Sequence, residues 1–133
     1  MIAIDTHVLV RLLVIDDSAR SDAARALVER ERVLLLRTVL LETEWVLRSP
    51  FGLDRTSIQH FFSSLAETSG IEIEANASTR RAIEAYGSGV DFADALHATA
   101  ANVAFHTFDE KLLKLRRRVG GADIRNVPKV RTR

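Results

Sequence analysis

Cysteine is absent from the 133 residues, which excludes thiol catalysis, disulfide bonds and thiolate metal sites. A metal, if one is held, is held by oxygen or imidazole. Proline occurs only twice and glycine six times, and there is no linker, repeat or low-complexity segment. No apolar run approaches the roughly 20 residues of a membrane span, and MIAIDTHVLV enters directly as a strand without a basic region or cleavage site. A soluble cytoplasmic protein with no membrane association is the expectation. With 47% hydrophobic residues the chain fits one domain over residues 1–133 and has little room for a second.

The formal net charge of +1 hides an asymmetry. From Asp109 to Arg133 there are nine Lys or Arg against three acids, with a basic tail over roughly 125–133. That end either follows a nucleic-acid backbone or is a solvated helix face and terminus; no aromatic is interleaved to stack on bases.

Strand and helix patterns alternate along the chain. Met1 to Asp5 is a short apolar run stopping at an acid, followed by helical spacing over Thr6 to Val14 and an apolar stripe (Ala23, Ala24, Leu27, Val28) within Ser18 to Arg32. Val33 to Leu36 suits the middle of a parallel sheet. Thr38 is positioned to cap the next helix, which ends before Pro50, and Trp45 on it reads as core or interface. Further helices are expected over Asp54 to Thr68, with Ile58, Phe61, Phe62 and Leu65 inward, and over Ser78 to Tyr86. Ile71 to Glu74 has the alternation of an edge strand, and Ile124 to Val127 is a final short strand. This order argues for an α/β domain, a parallel sheet covered by helices on both faces.

The chemistry concentrates in VDFADALHATAANVAFHTFD, residues 90–109. Asp91 reads as the N-cap and Asp94 as N3 of a helix that ends near Asn102 and uses Ala93, Leu96, Ala100 and Val103 as its buried side. Val103 to Phe108 then reads as a short buried strand, with Asp109 opening the next helix. Asp91 and Asp109 are equally well explained as caps alone. Asp94 is not, because it stands among apolar residues where an unpaired charge costs several kcal/mol. Asp5 repeats the strand-to-helix position of Asp109. Glu42 falls with Val39 and Val46 on the apolar side of its helix, with Glu44 further round; the plain alternative is a Glu at the edge of the stripe pairing with Arg48.

If Asp5, Glu42, Asp94 and Asp109 meet, they cannot all ionise without either raising one another's pKa or binding a divalent cation, and oxygen-only ligands favour Mg²⁺ or Mn²⁺. Such an ion suits phosphodiester hydrolysis. Two phosphotransfer folds also end their first strand in Asp. The phosphatases need a second Asp two residues later, where this chain has His7, and receiver domains need an acid pair near the first strand and an acceptor Asp at the end of the third.

IDTHVLVRLLV, the acid in LLETEWVL, DFADALHATAA and HTFDEKL together resemble the PIN-domain ribonucleases, most closely the VapC toxins of bacterial toxin-antitoxin pairs. The resemblance runs from Ile4 to about Leu113. It implies an α/β/α sandwich with a central parallel sheet of four to five strands and a Mg²⁺ or Mn²⁺ site. By position, Asp5, Glu42, Asp94 and Asp109 match the family's acids. Thr6 and Thr107 match hydroxyls beside the first and last of them, and Asp91 matches a frequent extra acid that caps or supports. Where the family commonly has Asn, this chain has His7, an ordinary polar helix-start residue or a hydrogen-bond partner of the acids. The resemblance further implies RNA as substrate, a homodimer, and a cognate antitoxin contacting exposed apolar residues of the Thr6 to Val14 and Asp54 to Thr68 helices. Lys111, Lys114, Arg116, Arg117 and Arg118 are candidates to position a nucleic-acid backbone. Arg11 is either a phosphate contact or half of an ion pair. A PIN-like domain that binds nucleic acid or protein without catalysis stays open beside the nuclease.

Overall fold

Short runs that begin on an apolar residue become strands, and each except the last is followed by a helix. The computed structural model describes residues 1–14 and 18–131. Arg133, one of the basic residues of the tail, lies outside the described residues. The elements are β1 Ile2–Ala3, α1 Thr6–Leu13, α2 Ser18–Arg30, β2 Val33–Leu35, α3 Arg37–Arg48, α4 Arg55–Ala66, β3 Ile71–Ile73, α5 Asn76–Gly87, α6 Phe92–Ala100, β4 Phe105–Thr107, α7 Glu110–Leu115, a 3₁₀ turn Arg116–Arg118 and β5 Ile124–Asn126. None of the described helices is long and apolar enough to cross a membrane.

Every strand pair among the described residues is parallel, although the order is not a strict alternation: two helices stand between successive strands from β1 to β4. β2 lies between β1 and β3, with Val33 opposite both Ile2 and Ile71. A second ladder pairs β4 with β5, Phe105 opposite Ile124. In place of one sheet of four to five strands, the five strands among the described residues form two parallel sheets, of three and of two. Central position explains the composition of β2, whose Val33 and Leu35 are fully buried. Around it, the rings of Phe62 and Tyr86 pack on Phe92 at centroid separations of 5.3 and 5.2 Å. Each such pair contributes about 0.5–1.5 kcal/mol beyond the burial of its area.

Several local expectations change. α3 begins at Arg37 with Leu36 as N-cap and no side-chain cap, so Thr38 lies within the helix. α6 buries Phe92, Ala95, Leu96, Ala98 and Thr99. The inward face therefore includes Phe92 and Ala95 in place of Ala93 and Ala100, because the aromatic pocket of Phe62 and Tyr86 captures Phe92. The helix stops at Ala100, and Val103 is 76% exposed. β4 is half-buried and covers three residues, leaving Phe108 79% exposed. Trp45 is not core; it is 54% exposed. On α4, Ile58, Phe62 and Leu65 are buried in the core, which leaves that helix little apolar surface to offer a partner.

Candidate active site

Three aspartates open helices, Asp5 and Asp109 just beyond the carboxyl ends of strands and Asp91 after the turn that follows α5. Asp5, just beyond β1 and in extended conformation, accepts the Thr6 N–H at 2.6 Å. Asp109, just beyond β4, accepts the Leu112 N–H at 3.0 Å. Thr107 Oγ1 accepts the Asp109 N–H at 2.9 Å and so fixes where that aspartate leaves the strand. Asp91 caps α6 by accepting the Asp94 N–H at 3.1 Å. The capping positions read from the sequence hold, and each cap occupies one carboxylate oxygen.

Asp94 is the acid whose environment is abnormal. It is half-buried, and burial pushes its carboxyl above the ordinary aspartate range; the negative charges of Asp91 and Asp109 push it further, against a smaller opposing effect of His97. α6 and the β4–α7 junction therefore bring three carboxylates into electrostatic contact. Glu42 is exposed on α3 and shares a cleft of about 420 Å³ with Thr38, Leu41, Trp45, Asp91 and Ala93. Asp5 is exposed at the end of β1, with Thr6 beside it almost completely buried and its hydroxyl without a hydrogen-bond partner among the described residues. No three His, Asp or Glu side chains among the described residues are grouped closely enough to form a ready-made metal cage. The chemistry of the donors nonetheless fits a hard divalent cation. All are oxygens, Asp94 stands where Asp91 and Asp109 repel its charge, and a hydroxyl without a partner among the described residues lies next to Asp5.

Glu42 is not the inward-facing glutamate of α3. Positions 40, 43, 44 and 47 form the buried stripe, so Glu44 is the buried one, at 4% exposure. Its carboxylate accepts Tyr86 Oη–H at 2.8 Å and Arg48 Nε–H at 2.8 Å, which satisfies a charge that would otherwise be costly. The Arg48 pair forms with Glu44, while Glu42 points to the cleft.

Arg37 escaped the sequence reading. Its backbone N–H donates to Glu74 at 2.8 Å, and its guanidinium donates to Ser78 at 3.1 Å, to Thr79 at 2.8 Å and to the Leu96 carbonyl. It ties the start of the helix bearing Glu42 to the helix bearing Asp94. An arginine opening a helix gives no hint of this, since its partners lie 37 to 59 residues away.

Among the basic candidates, Lys111, Lys114, Arg116 and Arg117 are exposed. Arg118 donates to the Ser88 carbonyl at 2.6 Å. Arg11 lines a groove of about 270 Å³ between α1 and α2, together with His7, Val8, Arg20 and Leu27.

No curated protein and no solved structure matches the chain. The PIN domain family matches residues 2–118, a span that begins at β1, ends with the 3₁₀ turn and contains all four acids. With that match over most of its length, the chain belongs to the PIN domain family, whose members are generally nucleases that use divalent metal ions.

Proposed function

We propose that the chain is a metal-dependent endoribonuclease of the VapC type, the toxin of a toxin-antitoxin pair, with Asp5, Glu42, Asp94 and Asp109 as its metal-holding and catalytic residues. The observation that supports this reading is the half-buried Asp94, whose carboxyl is raised first by burial and then by the negative charges of Asp91 and Asp109, with His97 opposing. Asp5, Glu42, Asp94 and Asp109 would hold Mg²⁺ or Mn²⁺, which when bound would supply Lewis acidity toward a phosphodiester and its attacking water. No protein nucleophile is required.

The remaining residues act on the acids or on the substrate. Asp91 holds the first turn of α6 and thereby the backbone of Asp94. Thr107 fixes the entry of Asp109, and the Thr6 hydroxyl, without a partner among the described residues, would orient a ligand or water beside Asp5. Lys111, Lys114, Arg116, Arg117 and Arg118, with Arg11, contact the phosphate backbone without reading sequence.

A homodimer would use the α3 face that exposes Trp45, since large aromatics are enriched at interfaces. A cognate antitoxin would lie in the α1–α2 groove, where Val8 and Leu27 offer apolar surface.

The test is cleavage of a mixed RNA substrate by the partner-free protein with Mg²⁺, with Mn²⁺ and with EDTA, beside Asp94→Asn. Metal-dependent cleavage that disappears in the variant is expected. Cleavage by Asp94→Asn at the wild-type rate would sink the assignment. The separation of the acids in the described residues favours one competing reading, a PIN-like domain that binds nucleic acid or protein without cutting. Absence of metal binding by calorimetry, together with absence of cleavage, would select it.

A further inference from the structure

The C-terminal third of the chain builds a second cavity, set apart from the acids. It measures about 560 Å³, and its lining includes Arg116, Arg117, Gly121, Asp123 and Arg125. Behind Gly121 stands a further guanidinium. A Cβ at Gly121 would lie 2.7 Å from Arg81 Nε and 3.2 Å from its Cζ, so glycine is required for Arg81 to press against this wall. The backbone there is also left-handed, with φ of +74°, a conformation glycine adopts without strain. Arg81 Nε is buried and finds no acceptor among the described residues. Arg81 does not itself line the cavity, so what it contributes there is the positive charge it places behind the glycine wall.

Asp123 is the only acid of the lining, and it is taken up by Arg125 through two hydrogen bonds of 3.0 and 2.7 Å. The charge left over is therefore that of Arg116, Arg117 and Arg81.

We infer that this cavity is a phosphate-binding site, walled by Arg116, Arg117 and Arg125 and backed by Arg81 through Gly121. Arg116 and Arg117 close on the phosphate oxygens from the exposed side, while Arg81 supplies charge through the thin glycine wall. The phosphate comes from the nucleic-acid chain. α7 leads from Asp109 directly into the 3₁₀ turn, which separates cavity and acids by roughly 10 Å of helix. A strand held here would keep a neighbouring phosphodiester within reach of the acids. The nucleic-acid source rests on the nuclease reading above; the phosphate site itself does not.

The test uses Asp94→Asn protein without divalent metal, so that nothing is cut, and follows the Arg81 Nε–H resonance by NMR. Inorganic phosphate and an RNA oligonucleotide are titrated separately. Both are expected to shift that resonance saturably. Arg116→Gln with Arg117→Gln, both exposed positions, should weaken phosphate binding about tenfold. The charge-matched Arg25→Gln with Arg30→Gln, on α2, should leave it unchanged. No shift with phosphate, or equal weakening by both double variants, overturns the site. A response to phosphate without one to RNA keeps the site and assigns it to a small phosphorylated ligand. Failure of the nuclease reading would show in the cleavage assay and leave this titration untouched.

Discussion

Replacing Tyr86 with Phe removes one hydroxyl and nothing else. The ring stays packed against Phe92, and Arg55, whose Cζ lies 4.6 Å from the ring centroid, keeps an aromatic face. What is lost is the 2.8 Å bond to Glu44, a carboxylate at 4% exposure. A hydrogen bond to a charged group is worth about 1.5–3 kcal/mol. Glu44 keeps Arg48 Nε at 2.8 Å, so the low end applies, and a loss of about 1.5 kcal/mol corresponds to about 6 °C in Tm for a chain of this size. Chemical denaturation followed by circular dichroism at pH 7 measures it. The variant carries a second signature in alkali. Burial first, then the hydrogen bond to Glu44 and its negative charge, hold the Tyr86 hydroxyl protonated far above the ordinary tyrosine range. An unfolded tyrosine ionises near pH ~10, so the stability from this group is complete below about pH 10 and drains away as pH climbs toward the raised value. Phe lacks that decline, and the gap between the two proteins should narrow in alkali. A loss below about 0.5 kcal/mol at pH 7, or a gap that stays constant above pH ~10, would refute the account of Glu44 as a buried ion satisfied by Tyr86.

Asp94→Asn should trade activity for stability. Because burial and then Asp91 and Asp109 raise the Asp94 carboxyl, its contribution is full below the unfolded value near pH ~3.9 and is lost as pH rises through the folded one. At pH 7 Asn removes that cost, and a gain of about 0.5–2 kcal/mol in denaturant unfolding is expected in metal-free buffer. Adding Mn²⁺ should raise the Tm of the wild type and leave the variant unmoved, as binding to the folded state alone requires. Ala75 precedes α5 in the left-handed region at φ 49°, ψ 53°. An L residue there costs about 1–2 kcal/mol, part of which Gly returns to unfolded-chain entropy, so Ala75→Gly should add about 0.5–1 kcal/mol by the same denaturation assay.

The elements and caps were legible because they depend on neighbours in the chain. Asp5, Asp91 and Asp109 each follow an apolar or turn segment and precede a helical stripe, and each caps the helix expected of it. β2 reads as central from its unbroken apolar run. What the local pattern misses is set by residues far away. Glu44 is buried because Tyr86, 42 positions later, supplies a donor; without that partner the helical stripe assigns the inward place to Glu42. The face of α6 turns toward Phe92 because Phe62 and Tyr86 form a pocket for its ring. Arg37 is the extreme case, a charged residue whose four partners come from a strand end and two other helices.

Asp5, Asp91 and Asp109 each cap a helix in addition to the part proposed for them around the acids, and this shapes how the protein would lose the proposed activity over generations. Asn caps a helix as well as Asp does, and a change of one base converts an aspartate codon into an asparagine codon. A lineage under pressure to silence the protein therefore has a short route through Asn that spares the folded chain, whereas Ala would also surrender the cap at about 1 kcal/mol. Silenced descendants of this chain should carry asparagine at these positions and remain folded, still able to occupy whatever partners the active form binds.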